Sequence, residues 1–222
     1  MAASALDRLA ELRVMPVVEV PDPALALPLA DALRAGGIPA IEVTFRTPAA
    51  AAAIEAIAGT RPDLLVAAGT VLSPEQASLA VRAGASLVIS PGIDLAVVDR
   101  CLELGVSVLP GVATPTEVLM ALDRGLDAAK FFPAEAAGGP AYLRALAGPF
   151  RGFRFAPSGG IGPDNAARYL ALPSVIAVGT SWVAAPGLLA AGDLAEVERR
   201  AREMVARLDA PTGTAAAPAA PR

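Results

Sequence analysis

The chain has 222 residues, a formal net charge of −4 and no histidine. That length suits one domain with a large core, and basic residues scattered along the chain argue against nucleic acid as a partner. Without imidazole, the commonest general base, the Ser–His and Cys–His nucleophile pairs and most zinc sites are excluded, so no metal is expected.

No apolar run approaches the roughly eighteen residues that a membrane span requires, so no membrane partner is expected. Residues Met1 to Arg13 mix Asp7, Arg8, Glu11 and Arg13 into an amphipathic pattern unlike a secretory signal, and a cytoplasmic location is expected. The single cysteine, Cys101, lies in an apolar stretch with no activating base, which reads as core packing. The single lysine, Lys130, stands beside 17 arginines. A guanidinium stays protonated, whereas a lysine amine can become a nucleophile.

In chain order, the pattern predicts a helix over Ser4–Leu12, then a strand over Val14–Val20 and a helix over Pro23–Ala35. Strand and helix then alternate: Ala40–Phe45 and Pro48–Ala58, Leu64–Ala68 and Pro74–Ala83, Leu87–Ser90 and Leu95–Leu104. The alternation continues with Val106–Leu109 and Pro115–Arg124, Ala128–Phe132 and Tyr142–Ala147, Phe153–Ala156 and Pro163–Leu172. An eighth strand, Val175–Val178, and a last helix, Leu194–Leu208, complete the pattern. Pro, Asp or Ser opens many of the helices and Gly closes them, as capping preferences expect. Eight strand–helix units predict an α/β fold, a (β/α)8 TIM barrel with an extra N-terminal helix plugging its bottom. No G-x-G-x-x-G follows the first strand, which weakens a Rossmann reading. One domain is expected over residues 1–208, and the aperiodic tail 209–222, rich in Ala, Pro, Thr and Gly, is expected to be disordered.

Barrel enzymes carry their chemistry at the C-terminal ends of strands. In the second strand, alternation turns Ile41, Val43 and Phe45 towards the helices and Ala40, Glu42, Thr44 and Arg46 towards the axis. A carboxylate aimed into a barrel needs a partner, and Lys130, embedded in the uncharged run of the sixth strand, supplies one. Desolvation favours a neutral amine, the form that attacks a ketone. Two Gly-rich turns, Ser158 to Gly162 and Gly179 to Ser181, follow the seventh and eighth strands. Turns of this kind opening a helix N-terminus expose N–H groups to an anion, and barrels commonly bind phosphate at these two loops. Tyr142 and Tyr169 read as surface or inter-helix contacts, and Leu119 and Met120 read as core.

These motifs carry a family resemblance. The pieces are Glu42-Val43-Thr44-Phe45-Arg46-Thr47, Gly69-Thr70-Val71, Ser90-Pro91-Gly92, Pro110-Gly111, Lys130-Phe131-Phe132-Pro133-Ala134-Glu135, Pro157-Ser158-Gly159-Gly160-Ile161 and Gly179-Thr180-Ser181-Trp182. In this order the chain resembles the bacterial 2-keto-3-deoxy-6-phosphogluconate (KDPG) and 2-keto-4-hydroxyglutarate (KHG) aldolases over about residues 6 to 207. The resemblance implies a class I aldolase with Lys130 as Schiff-base lysine and Glu42 as proton shuttle. It implies that Arg46 and Thr70 hold the pyruvoyl carboxylate, and that Pro91 and Phe132 wall the pocket. Ser158, Gly159, Gly160 and Ser181 match the phosphate cradle. It further implies a phosphorylated 2-keto acid and pyruvate as small-molecule partners, no cofactor, and a homotrimer.

Ser158 stands where the family usually has Thr, and Thr180 where Gly is common. Glu19, near the end of the first strand, is either a second inward carboxylate or a solvated strand end. Other readings remain open at this stage. They are the sister aldolase acting on the galactonate-derived isomer, a phosphate-binding barrel isomerase or epimerase without an imine, and a non-catalytic barrel subunit.

Overall fold

The computed structural model describes residues 4–209. Apart from Asp209, the tail expected to be disordered lies outside the described residues.

The chain begins with α1 (Ala5–Leu12), opened by a capping box in which Ser4 accepts from the Asp7 N–H and the Asp7 carboxylate accepts from Ser4. Arg13, at φ 62°, then turns the chain left-handed into β1 (Val14–Val18). Next come α2 (Ala26–Ala35), entered through a 3-10 turn at Pro23–Leu25, β2 (Ala40–Thr44), α3 (Ala50–Thr60) and β3 (Leu65–Gly69). The middle of the chain gives α4 (Pro74–Arg82), β4 (Leu87–Ile89), α5 (Leu95–Glu103), β5 (Ser107–Leu109), β6 (Gly111–Val112) and α6 (Pro115–Leu122). The last part gives β7 (Ala128–Phe131), α7 (Gly139–Ala147), β8 (Arg154–Pro157), α8 (Ala166–Leu170), β9 (Val178–Thr180), α9 (Pro186–Ala191) and α10 (Leu194–Asp209). Ser73, Asp94 and Thr114 cap α4, α5 and α6 through their side chains, which satisfies N–H groups that the first helical turn leaves open.

All paired strands are parallel, in the orders β5-β4-β3-β2-β1-β9 and β6-β7-β8. This is an α/β fold whose parallel strands curl about a shared interior. The two sheets approach each other at both margins. Between β5 and β6 lies Pro110 alone, whose carbonyl accepts from the Lys130 N–H at 2.9 Å. Proline has no N–H to give to a ladder, which accounts for the interruption. On the other side, isolated bridges join Phe155 to Val175 and Ser158 to Gly179.

Three boundaries differ from the sequence expectation. The last strand is Val178–Thr180 rather than Val175–Val178, because its register is set by pairing Val14 with Val178 and Pro16 with Thr180. Helix α9 has no counterpart among the expected elements; Pro186 opens it, at a position where a missing N–H costs nothing. Helix α7 starts at Gly139, three residues before the expected Tyr142, with Gly138 and Gly139 both at positive φ. Side-chain expectations also shift. Leu119 is 53% exposed, because α6 buries the neighbouring Val118 and Ala121 instead. Tyr169 is fully buried and donates its hydroxyl to Glu135 Oε1. Burial, reinforced by that bond, pushes its phenol up.

The core is built from small and branched residues on the strands against Leu, Ile, Val and Ala from the helices. Leu9 of α1 is 1% exposed and reaches the same interior space as Met15, Ile89 and Leu109. The N-terminal helix therefore supplies part of the floor beneath the strand ends. Cys101, on α5, is fully buried, and burial pushes its thiol up to about 11. At pH 8 about one in a thousand such thiols is the reactive thiolate. An aromatic disulfide reagent should therefore leave the native protein untouched at pH 8 and react with one thiol per chain after urea unfolding. Rapid reaction of the native chain would contradict this packing.

Candidate active site

Strand alternation builds the centre of the site. On β7, Phe131 points outward and stacks on Tyr142 of α7 with ring centroids 5.9 Å apart. Its neighbour Lys130 must then point inward. Residues Ala128, Ala129, Lys130 and Phe131 are all buried. On β2, Glu42 turns inward by the same rule and is 2% exposed. Lys130 Nζ donates to Glu42 Oε1 at 3.2 Å, across 88 residues of sequence. The backbone around the pair is cleared for it. A Cβ on Gly69, at the end of β3, would sit 2.2 Å from Glu42 Oε1, so only glycine fits beside this carboxylate. The ring of Phe132 lies 5.3 Å from Lys130 Nζ and offers its negative face to a charged amine.

Beneath the pair the walls are apolar: Leu9, Met15, Ile89, Leu109 and Ala156. Above it opens a cleft. Among the residues expected at the site, Arg46, Lys130, Phe132, Ser158, Gly159, Gly160 and Ser181 line this cleft together. Glu42 lies on its floor against Lys130. Thr70 and Pro91 do not line the cleft. They sit half-buried at the tips of β3 and β4, on the same rim. Thr70 carries a backbone φ of 54°. That conformation is a genuine outlier for a β-branched residue, and strain of this kind concentrates at functional sites.

The two Gly-rich loops are shaped to receive an anion. Gly159 and Gly160 stand at φ 102° and 77°. Their segment is drawn outward as the Ala134 N–H donates to Ser158 O at 2.8 Å and the Glu135 N–H to Gly159 O at 3.1 Å. Asn165 clips the far end, accepting from the Gly162 N–H at 2.9 Å and donating to Gly160 O at 3.0 Å. The backbone N–H groups of Gly159, Gly160 and Ser181 bond to no acceptor among the described residues. Successive free N–H groups on a turn of this hand form an anion-binding concavity. One expectation is corrected here: the donors are loop amides, not the first turn of a helix, because α8 starts only at Ala166 and α9 at Pro186.

Val17, Ile161 and Gly179 line the cleft as well. The sequence places Ile161 and Gly179 in the two Gly-rich turns without giving either a role, and it does not single out Val17. Alternation along β1 was the available signal for Val17. Glu19 proves to be a solvated strand end, with its carboxylate 3.9 Å from the Arg46 guanidinium and both side chains about half exposed. Hydroxyls of Thr44 and Thr47 donate to the carbonyls of Val18 and Val20, pinning the tip of β1 to that of β2.

The chain matches known proteins over most of its length. The family model described as KDPG and KHG aldolase matches residues 6–200. The chain belongs to this family. It is 49% identical over 191 residues to the 2-dehydro-3-deoxy-phosphogluconate aldolase of Treponema pallidum, covering 86% of this chain and 91% of that one. The crystal structure of the Zymomonas mobilis ZM4 KDPG aldolase with 3-phosphoglycerate is 42% identical, covers 90% of this chain and 94% of its own, and superposes with a TM-score of 0.84. The Legionella pneumophila KDPG aldolase, with pyruvate captured at low pH as a covalent carbinolamine intermediate, is 38% identical, covers 91% and 98%, and gives a TM-score of 0.87.

A buried ion pair is a poor way to stabilise a fold, since desolvation of both charges offsets most of their attraction. The double substitution Lys130→Met with Glu42→Leu should therefore raise unfolding stability by about 1–4 kcal/mol, while Glu42→Ala alone, which strands the amine, should lower it by about 3–5 kcal/mol. Urea titration of the three proteins checks both signs. A double variant weaker than the parent would mean that the pair is there for stability.

Proposed function

We infer that the protein is a class I aldolase that cleaves 2-keto-3-deoxy-6-phosphogluconate to pyruvate and glyceraldehyde 3-phosphate through an imine on Lys130. The observation that carries this is the 3.2 Å contact between Lys130 Nζ and Glu42 Oε1, sealed from below and open above to anion-receptive loops.

The chemistry follows from that contact. The Lys130 amine adds to the C2 ketone, and Glu42 delivers a proton to the carbinolamine oxygen, which leaves as water. The resulting iminium is an electron sink. A base removes the C4 hydroxyl proton, the C3–C4 bond breaks, and its electron pair enters the enamine on Lys130. Glyceraldehyde 3-phosphate departs. Protonation of the enamine at C3 and hydrolysis of the imine release pyruvate. Glu42 both gives and takes protons, and it stands within hydrogen-bond reach of the nitrogen that the intermediates share. Arg46 offers a guanidinium for the pyruvoyl carboxylate at the rim, with Thr70 and Pro91 beside it on neighbouring strand tips. Phe132 walls the cleft, and Ser158, Gly159, Gly160 and Ser181 hold the phosphate. The phosphate-free 2-keto-4-hydroxyglutarate, giving pyruvate and glyoxylate, fits the same chemistry. No step calls for a cofactor.

The same reading takes the two sheets as one closed (β/α)8 TIM barrel with α1 under its floor and residues 1–208 as one catalytic domain. It takes the working enzyme as a homotrimer, supported by exposed Leu79, Leu102, Leu119 and Leu122 on α4, α5 and α6. A cytoplasmic location belongs to the same proposal. Among the described residues no helix is long and apolar enough to cross a membrane.

Borohydride reduction in the presence of pyruvate tests the imine directly. It should inactivate the enzyme irreversibly and add the mass of a reduced pyruvate adduct to the peptide containing Lys130. Turnover of a sugar phosphate without that adduct would point instead to an isomerase. Lys130→Arg should keep the fold by circular dichroism and abolish cleavage, because a guanidinium stays protonated. Glu42→Gln should lower kcat by about 10²–10⁴, the usual range for a lost general acid–base.

A further inference from the structure

The environment of Thr180 explains what a side chain does at this position. Thr180 ends β9 and is 1% exposed, so its hydroxyl has to find partners within the protein. Thr180 Oγ1 donates to the Ile161 carbonyl at 2.7 Å and accepts from the Trp182 N–H at 3.2 Å. Ile161 belongs to the loop after β8 and Trp182 to the loop after β9. One buried hydroxyl thus joins the two segments whose free amides face the cleft, alongside the isolated bridge between Ser158 and Gly179.

The bond has two consequences for an anion. It fixes the separation between the Gly159 and Gly160 amides on one loop and the Ser181 amide on the other, so a bound phosphate does not have to order them. It also ties back the Ile161 carbonyl, an acceptor that would repel a phosphate if it swung into the cleft. Resting on the aldolase reading above, the geometry points to Thr180 as a positioning residue that sets the preference for a phosphorylated over a phosphate-free 2-keto acid. It touches no substrate itself, and acts through the two loops it holds together.

The isosteric pair Thr180→Val and Thr180→Ser isolates the hydroxyl, since the first keeps the shape and the second keeps the bond. Steady-state kinetics would be measured with 2-keto-3-deoxy-6-phosphogluconate and with 2-keto-4-hydroxyglutarate, and 3-phosphoglycerate binding by calorimetry. Loss of a buried hydrogen bond should raise KM for the phosphorylated substrate, and Kd for 3-phosphoglycerate, about tenfold in Thr180→Val. KM for the phosphate-free substrate and kcat for both should stay within about twofold, and Thr180→Ser should restore parental values. Equal loss on the two substrates, or an unaltered Thr180→Val, overturns the proposal. If Thr180→Val does not fold by circular dichroism, Thr180→Ala against Thr180→Ser reads the same ratio. Absence of borohydride trapping in the parent protein would sink the aldolase reading instead, and the 3-phosphoglycerate ratio would still decide the role of Thr180.

Discussion

An amine and a carboxylate, 3.2 Å apart and almost wholly withdrawn from water, set the terms for the rest of the structure. Each group would be costly to bury alone, and together they stabilise the fold no better than an apolar pair of the same volume. The surrounding chain accommodates them at identifiable places. Gly69 leaves room for Glu42, and the small Ala156 pairs in register with Lys130 and lines the same space. The apolar floor, completed by Leu9 from α1, closes the space below the pair. The pair is left facing upward, into the cleft where a ketone could arrive. A buried charged pair that gives the fold little stability and faces a cleft marks a candidate functional site.

The distribution of cations reinforces the point. Arginines serve the surface, where they form ion pairs such as Arg61 with Asp31 and Arg124 with Asp99. On α10, Arg199 and Arg200 hold the Glu196 carboxyl down to about 2. None of these tasks needs an amine that can lose its proton. On the proposed reading, the task that does falls to Lys130, where a guanidinium could pair with Glu42 but could not form an imine. The lone lysine of the composition is thus the cation that the fold buries against Glu42.

Much of this was legible in the residues themselves. Alternation on the second strand identified Glu42 as inward, and the charge embedded in an uncharged run marked Lys130, because both signals are local and periodic. The (β/α) order was equally plain from the spacing of strand and helix patterns. The misses have physical causes. Val175–Ala177 is as β-branched and apolar as a strand, but the ladder begins at Val178 because β1 sets the register, a relation between segments far apart in sequence. Pro186-Gly187 looks like a turn and opens a helix. Leu119 satisfies a helical apolar pattern yet faces outward, since periodicity reports a stripe but not which edge of it the core covers. Thr180 was visible as a departure from the family pattern, but its two bonds join loops whose proximity exists only after folding.

The rim shows how a site can be charged without being locked. Arg46 stands half exposed beside Glu19 at 3.9 Å. An exposed pair at that separation contributes about 0–1 kcal/mol, enough to bias the guanidinium towards the mouth of the cleft and too little to compete with a substrate carboxylate that can take two of its N–H groups at once. The opposite side of the cleft works by the reverse rule, with neutral backbone amides held rigidly by buried bonds. Neither side carries a lysine, since the one in the chain lies on the floor against Glu42. On the proposed reading, substrate anions are recruited at these two ends, and the distance between them, rather than the strength of either, aligns the ketone over Lys130.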